Sequence, residues 1–313
     1  MRSLRTISDI SRSDLELIMA RASSFREKHH KGLRHEGLLC GKVVALVFEK
    51  PSLRTKMAFE VAATSLGATP IFLSSSQILA SGNNERGRES IPDIGRNLER
   101  FSDLIIARVY NHDSIVELHR SISIPVINAL CDRHHPTQAL ADLMTLRLKK
   151  GDLAQVKVAY IGDGNNVATS LCQICALAGI NFACASPTTH QIPEDEINVA
   201  RNFANSSGSH LEFVTEPSQA LCDADAVYTD TFVSMGQEAE KDLRSQLFQT
   251  YQVNSDLMRL AKPDAVFMHC LPAHRGEEVT DEVIDSPQSV VFDQAECRLH
   301  VAKALLALML ESA

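Results

Sequence analysis

Three things are missing from this 313-residue sequence, and each absence narrows what the chain can be. No stretch reaches the run of about 18 apolar residues that a membrane-crossing helix requires. The opening MRSLRTISDISRSDLELIM has neither a continuous apolar centre nor a small-residue cleavage site, so it does not read as a secretory leader. Positive charge is not in excess: 31 Lys and Arg stand against 39 Asp and Glu, a formal net charge of −8. That balance disfavours nucleic acid or an anionic membrane as a partner, while leaving room for a local basic site. Internal repeats and low-complexity tracts are absent as well. The eight cysteines have no framework spacing and read as reduced thiols of a cytoplasmic protein.

What is present is alternation. Nine short apolar runs read as strands: VVALVF (43–48), PIFLS (70–74), LIIARV (104–109), PVINA (125–129), KVAYIG (157–162), FACAS (182–186), AVYTD (226–230), AVFMHC (265–270) and VVFD (290–293). Helix-period stretches lie between them, and strands that are apolar on both faces belong to parallel sheets covered on both sides. The expectation is an α/β protein with two doubly wound parallel-sheet domains linked by helices. The polar turn RLKKGDLAQV (147–156) marks a break, giving one domain from 1–146 with 288–313 and another from 147–287. Ser13 and Glu16 have capping-box spacing ahead of a helix that places Leu15, Ile18, Ala22 and Phe25 on one face. The closing HVAKALLALML is apolar nearly all round and reads as a packed helix.

Six stretches carry polar groups where such folds keep their chemistry, at strand ends and helix starts. In FEKPSLRTKMAFE (48–60), Ser52, Leu53, Arg54 and Thr55 open a helix, and a helix N-terminus with a guanidinium and two hydroxyls suits a phosphate or carboxylate. Simple capping by Ser52 is the plainer alternative. Arg108 ends an apolar strand, where an arginine needs a fixed anion or a structural carboxylate. In HHPTQALADLMTLR, Pro136 fits a first helical turn, and His135 and Gln138 then share one face as donors to a carbonyl or phosphate oxygen.

The stretch KVAYIGDGNNVATSLCQICALAG offers G-x-G after a strand, but Val167 holds the third glycine position and FACAS ends without an acid. A dinucleotide site is therefore not expected. Asn165 and Asn166 suggest amide contacts to a small polar ligand, and Cys172 and Cys175 read as packed core thiols rather than zinc ligands. Asp230, followed by Ser234-Met235-Gly236, suits an ammonium group. Cys270, beside His269 and before Leu271-Pro272, sits where a thiol is exposed and tuned.

Together PSLRTK, ARVY, HPTQALAD, GDGNN, DTFVSMGQE and HCLPAHRG, in this order, resemble the ornithine carbamoyltransferases of the aspartate/ornithine carbamoyltransferase family over nearly the whole chain. The resemblance implies transfer of a carbamoyl group from carbamoyl phosphate to the δ-amine of L-ornithine, giving citrulline and phosphate, without cofactor or metal. It assigns carbamoyl phosphate to the first domain and ornithine to the second. It also implies a homo-oligomer built on a trimer, in which a neighbouring subunit lends a loop. By matching motif, Ser52, Leu53, Arg54, Thr55, Arg108, His135 and Gln138 correspond to carbamoyl phosphate contacts. Cys270 and Leu271 match the reacting-centre pair, and Arg298 in AECRLH matches a late arginine that reaches the same substrate. Asn166, Asp230, Ser234 and Met235 match the contacts to ornithine. Three departures stand out: SGNNERGRES before the third helix, DIGRNL within it, and Cys297 beside Arg298.

The chemistry makes three demands: donors for charge developing on the carbonyl oxygen and phosphate, alignment of the two substrates, and removal of a proton from the amine. Arg54, Thr55, Arg108 and His135 meet the first. An alkylammonium with pKa ~10.4 costs about 4–5 kcal/mol to neutralise at pH 7, and a thiol with pKa ~8.5 is a better relay than a carboxylate. Cys270 is therefore expected to take or relay the proton while Asp230 positions the amine. Catalytic roles thus fall on Cys270, Arg108 and His135. Another amine (putrescine or an acylated ornithine) and a silent carbamoyl-phosphate-binding relative remain the alternatives.

Overall fold

The computed structural model describes residues 2–33, 37–74, 89–233 and 240–311. They form two compact units, Met1–Ala141 with Glu296–Ala313, and Asp142–Ala295.

In the first unit, β1 (Val43–Phe48), β2 (Thr69–Ser74), β3 (Leu104–Arg108) and β4 (Val126–Leu130) make a parallel sheet in the order β2-β1-β3-β4. The central β3 is buried along its whole length, Arg108 included. Because the chain leaves β1 toward one edge and β3 toward the other, the strand order reverses between these parallel neighbours. Ligands of open α/β sheets bind beyond the carboxyl ends of strands at such a point, and here those ends carry Lys50–Arg54 and Arg108. The second unit repeats the logic with β5 (Lys157–Ile161), β6 (Asn181–Ala185), β7 (Leu211–Val214), β8 (Ala226–Thr229) and β9 (Val266–His269), all parallel, in the order β7-β6-β5-β8-β9. Its reversal lies between β5 and β8, whose ends carry Gly162–Asn166 and Asp230.

The described helices are α1 (Arg12–His30), α2 (Leu53–Ser65), α3 (Ile91–Leu98), α4 (His112–Ser121), α5 (Pro136–Lys150), α6 (Asn166–Ala178), α7 (Glu194–Ser207), α8 (Pro217–Leu221), α9 (Lys241–Leu247), α10 (Ser255–Met258), α11 (Asp281–Ile284) and α12 (Val291–Leu310). The chain passes between the units inside α5 and returns inside α12. Eight of the nine expected strands form. The ninth does not: VVFD begins α12, because a short buried apolar run has no period that tells a strand from a helix start. Conversely, LEFV (211–214) pairs as the edge strand β7 although its half-buried residues include Glu212, leaving no continuous apolar run to find.

The capping box of α1 also differs. Ser11 accepts from the Asp14 N–H at 3.1 Å and its own N–H donates to Asp14 at 2.9 Å, so the helix starts two residues before the Ser13/Glu16 pair. Both pairs have the right spacing. Only the first places buried Ile10 and Leu15 as an apolar pair on either side of the cap. The second of the two glycines after β5 is explained by the chain itself. A Cβ on Gly164 would lie 2.2 Å from the Ile192 backbone nitrogen, and the Gly164 N–H donates to His190 O at 2.8 Å. That glycine admits a neighbouring loop. Cys172 and Cys175 are buried inside α6, and all eight cysteines are free thiols. Among the described residues no helix is long and apolar enough to cross a membrane.

Within the first unit α12 closes on α1 through Glu296, whose Oε1 meets His30 Nε2 at 2.7 Å and His300 Nε2 at 3.0 Å. Burial pushes His300 down to about 4 despite the pull of Glu296. A histidine depressed in the folded state stabilises above its ordinary 6.5, and that contribution is lost as pH falls toward about 4. Urea denaturation should therefore show about 2 kcal/mol less stability at pH 5 than at pH 7 from this group, and His300→Gln should remove that portion of the slope.

Candidate active site

The first unit gathers cations around one buried imidazole. Ser52 caps α2, its Oγ accepting from the Thr55 N–H at 3.3 Å, which leaves the Thr55 side chain buried one turn in. Pro136 opens α5, so His135 and Gln138 are buried at that helix start. Arg298, reaching in from α12, ties the two helix mouths together: Nη2 donates to Thr55 Oγ1 at 2.6 Å and Nη1 donates to Gln138 Oε1 at 2.9 Å. His135 is held well below the usual imidazole range, first by burial and then by the charges of Arg298, Arg108 and Arg54. These three guanidiniums therefore crowd a ring that stays neutral at physiological pH.

Lys50 adds a fourth cation. It is 7 % exposed, its Nζ lies 4.5 Å from the Tyr110 ring centroid, and burial, then Arg108, lowers its pKa. Like charges held this close repel each other, and a dianion is the ligand that relieves them. The Leu53 side chain, by contrast, is exposed, so this residue offers the cradle its backbone rather than its side chain.

In the second unit the polar groups converge on Asp230. Asn165 caps α6, its Oδ1 accepting from the N–H groups of Val167 and Ala168 at 2.9 and 3.1 Å, and its Nδ2 donates to Asp230 Oδ2 at 2.8 Å. Cys270 Sγ donates to the other carboxylate oxygen at 3.0 Å. Asn166 follows as the half-buried first residue of α6, so the amide that reaches Asp230 is its neighbour's. Leu271 is half-buried after the thiol. Ser234 and Met235, like the 81–88 stretch, lie outside the described residues.

Arg244 is a residue that sequence reasoning missed. It donates to Asp163 Oδ2 at 2.8 Å, Phe232 O at 3.0 Å and, through Nε, Glu240 Oε2 at 2.9 Å. It thereby fixes the chain on both sides of the Ser234–Met235 stretch. Nothing in its local sequence marks it. Lys50 was equally silent, whereas Asn165, singled out with Asn166 in the sequence for its amide, is also the N-cap before an apolar helix. Asp230, His269 and Cys270 offer ligand atoms within 4.8 Å of one another, enough in number for a metal. Yet His269 already uses both ring nitrogens, Nδ1 toward the Leu271 N–H at 2.8 Å and Nε2 toward Glu278 at 3.2 Å. The donor set fits proton handling better.

A dianion cradle at one sheet reversal and a thiol–carboxylate pair at another define a group transferase, and comparisons with known proteins agree. Residues 2–148 match the carbamoyl-P binding domain, and residues 154–309 the Asp/Orn binding domain, of aspartate/ornithine carbamoyltransferase. The chain belongs to the aspartate/ornithine carbamoyltransferase family. It is 46 % identical to the anabolic ornithine carbamoyltransferase of Pyrococcus furiosus, over 99 % of this chain and 96 % of that one. With the ornithine carbamoyltransferase of Bacillus subtilis it shares 44 % identity, over 99 % and 94 % of the two chains. The solved P. furiosus enzyme superposes with a TM-score of 0.94, covering 100 % of this chain and 98 % of that one. The expected fold class, two parallel-sheet α/β domains, is the observed one.

Proposed function

We propose that this protein transfers the carbamoyl group of carbamoyl phosphate to the δ-amine of L-ornithine, forming L-citrulline and phosphate. The observation that carries this reading is Arg298 bridging Thr55 and Gln138 while Arg54 and Arg108 flank a neutral His135. The unit Met1–Ala141 with Glu296–Ala313 holds carbamoyl phosphate. Ser52, Leu53, Arg54 and Thr55 cradle the phosphate with the helix mouth, and Arg108, His135, Gln138 and Arg298 bind its oxygens. A neutral imidazole donates one N–H to the carbonyl oxygen without bringing a proton that could be lost to the amine.

The unit Asp142–Ala295 holds ornithine, through Asp230 with Asn166, Ser234 and Met235. The δ-ammonium, positioned by Asp230, first gives up a proton to Cys270, whose Sγ has lost its own to solvent and, once reprotonated, hydrogen-bonds Asp230 at 3.0 Å. The nitrogen lone pair then attacks the carbamoyl carbon, the C–O bond to phosphate breaks, and phosphate leaves with the bonding pair and takes up the second proton that the nitrogen sheds. Cys270 and Leu271 border the carbamoyl group.

Purified protein given carbamoyl phosphate and ornithine should form citrulline and phosphate in equal amounts. No citrulline would leave a silent relative, and faster turnover of putrescine or an acylated ornithine would move the substrate.

A homo-oligomer built on trimers, located in the cytoplasm, completes the reading. Leu53, Met57 and Val61 lie exposed at four-residue intervals along α2, and Ile71 is exposed on the edge strand β2. Such a stripe suits a second copy of the chain. Light scattering of a Met57→Asp, Val61→Asp double variant should give a mass below the wild-type one, one third of it for a plain trimer, and an unchanged mass would place the interface elsewhere.

A further inference from the structure

Two histidines and a glutamate that the chemistry above does not use meet where the first unit closes on itself. Glu296 and His300 lie one turn apart on α12, so their side chains share a face of that helix. His30, the last residue of α1, reaches the same point from the other side. Glu296 Oε1 sits between the two imidazoles, 2.7 Å from His30 Nε2 and 3.0 Å from His300 Nε2. All three ligand atoms fall within 4.8 Å of one another.

Two imidazoles and one carboxylate are a set that zinc accepts, with water in the fourth position. A tetrahedral zinc ion about 2.0–2.1 Å from each nitrogen holds its ligands roughly 3.3 Å apart. Both contacts to Oε1 therefore need to open by only a few tenths of an ångström. Protonation suits the ion too, since it takes neutral histidine and ionised carboxylate. Burial keeps His300 neutral at ordinary pH. Burial alone would push Glu296 up, but hydrogen bonds from His30 and His300 hold it down at about 2.

An entry path exists, because the His30 side chain is 49 % exposed. Arg26 brings Nε to 3.8 Å from Glu296 Oε1 and is the cation an arriving ion would displace. His300 Nδ1 is buried without a hydrogen-bond partner among the described residues. Lacking that outer acceptor, the site should bind about 10- to 100-fold more weakly than a fully supported one. Arg298 falls between the two α12 ligands in sequence but about 200° round the helix from each. The substrate cradle and this cluster thus use different faces of α12.

We propose that His30, Glu296 and His300 form a zinc site that joins the C-terminal end of α1 to α12. It goes beyond the carbamoyl-transfer reading and does not depend on it.

Titration of the full-length, metal-free protein with Zn²⁺ and Co²⁺ tests the site. Cobalt distinguishes it from any site at a cysteine, because a thiolate adds a sulfur-to-metal charge-transfer band and a nitrogen–oxygen set does not. Wild-type protein should bind one ion per chain with tetrahedral cobalt bands and no sulfur band from that ion. Saturating Zn²⁺ should raise its melting midpoint by a few degrees, as an ion that binds only the folded chain must. His30→Ala, at an exposed position, should weaken binding at least about 10²-fold, since it removes a ligand and not merely an outer partner. The midpoint shift should vanish with it, and Glu296→Gln should behave alike. Binding and midpoint shift unchanged in both variants overturn the proposal. So does wild-type protein that takes up no ion at millimolar concentration, or whose bound cobalt is all accounted for by the sulfur band.

Discussion

Replacing Arg108 with alanine should lower kcat/KM for carbamoyl phosphate by about 10²- to 10³-fold, the loss that follows removal of one preorganised donor. Burial and then Arg108 lower the pKa of Lys50, so the two cations stand near each other. A bound dianion relieves such repulsion, so inorganic phosphate should raise the thermal midpoint of the wild-type protein and raise that of the variant less. A purely structural arginine predicts a modest kinetic loss and the same phosphate-induced rise in both proteins. Steady-state kinetics and melting curves with and without phosphate separate the two.

Cys270→Ala should lower kcat by about 10²- to 10⁴-fold, the range for loss of a positioned proton acceptor, and should change the shape of the pH–rate profile. The remaining rate should climb with pH, because only the small unprotonated fraction of an amine with pKa ~10.4 can then attack. His135 contributes no limb in the neutral range, since burial and three guanidiniums keep it uncharged there. An unchanged rate and profile would rule out the thiol relay and leave Asp230 as the direct acceptor. The binding of carbamoyl phosphate should be spared, because its proposed side-chain cradle is drawn from the other unit.

The sequence disclosed the cradle better than its supports. PSLRT and HPTQ are legible because helix starts after apolar strands have few plausible uses, and the apolar runs themselves placed eight of nine strands. Arg298 was reached only through a family pattern, since nothing local shows that α12 delivers it to Thr55 and Gln138. Glu278 lies in RGEEVTDE, a stretch that reads as a solvated turn, yet its carboxylate is buried beneath the HCLP segment. Arg244 is hidden for the same reason. Side chains that hold other side chains leave no periodic or capping signal, and their partners lie far away in sequence. VVFD and LEFV mark the same limit for backbone, where burial at an edge or a helix start blurs the apolar pattern.

The most direct measurement is a crystal structure with phosphonoacetamide, which keeps the carbamoyl and phosphoryl ends of carbamoyl phosphate but puts a methylene at the bridge. The expected result places phosphonate oxygens about 3 Å from donors of the α2 mouth, Arg54 and Arg108, with the amide oxygen facing His135 and Arg298 still bridging Thr55 and Gln138. A phosphonate bound elsewhere, with Arg54 and Arg108 turned away from it, would contradict the dianion site and the function built on it.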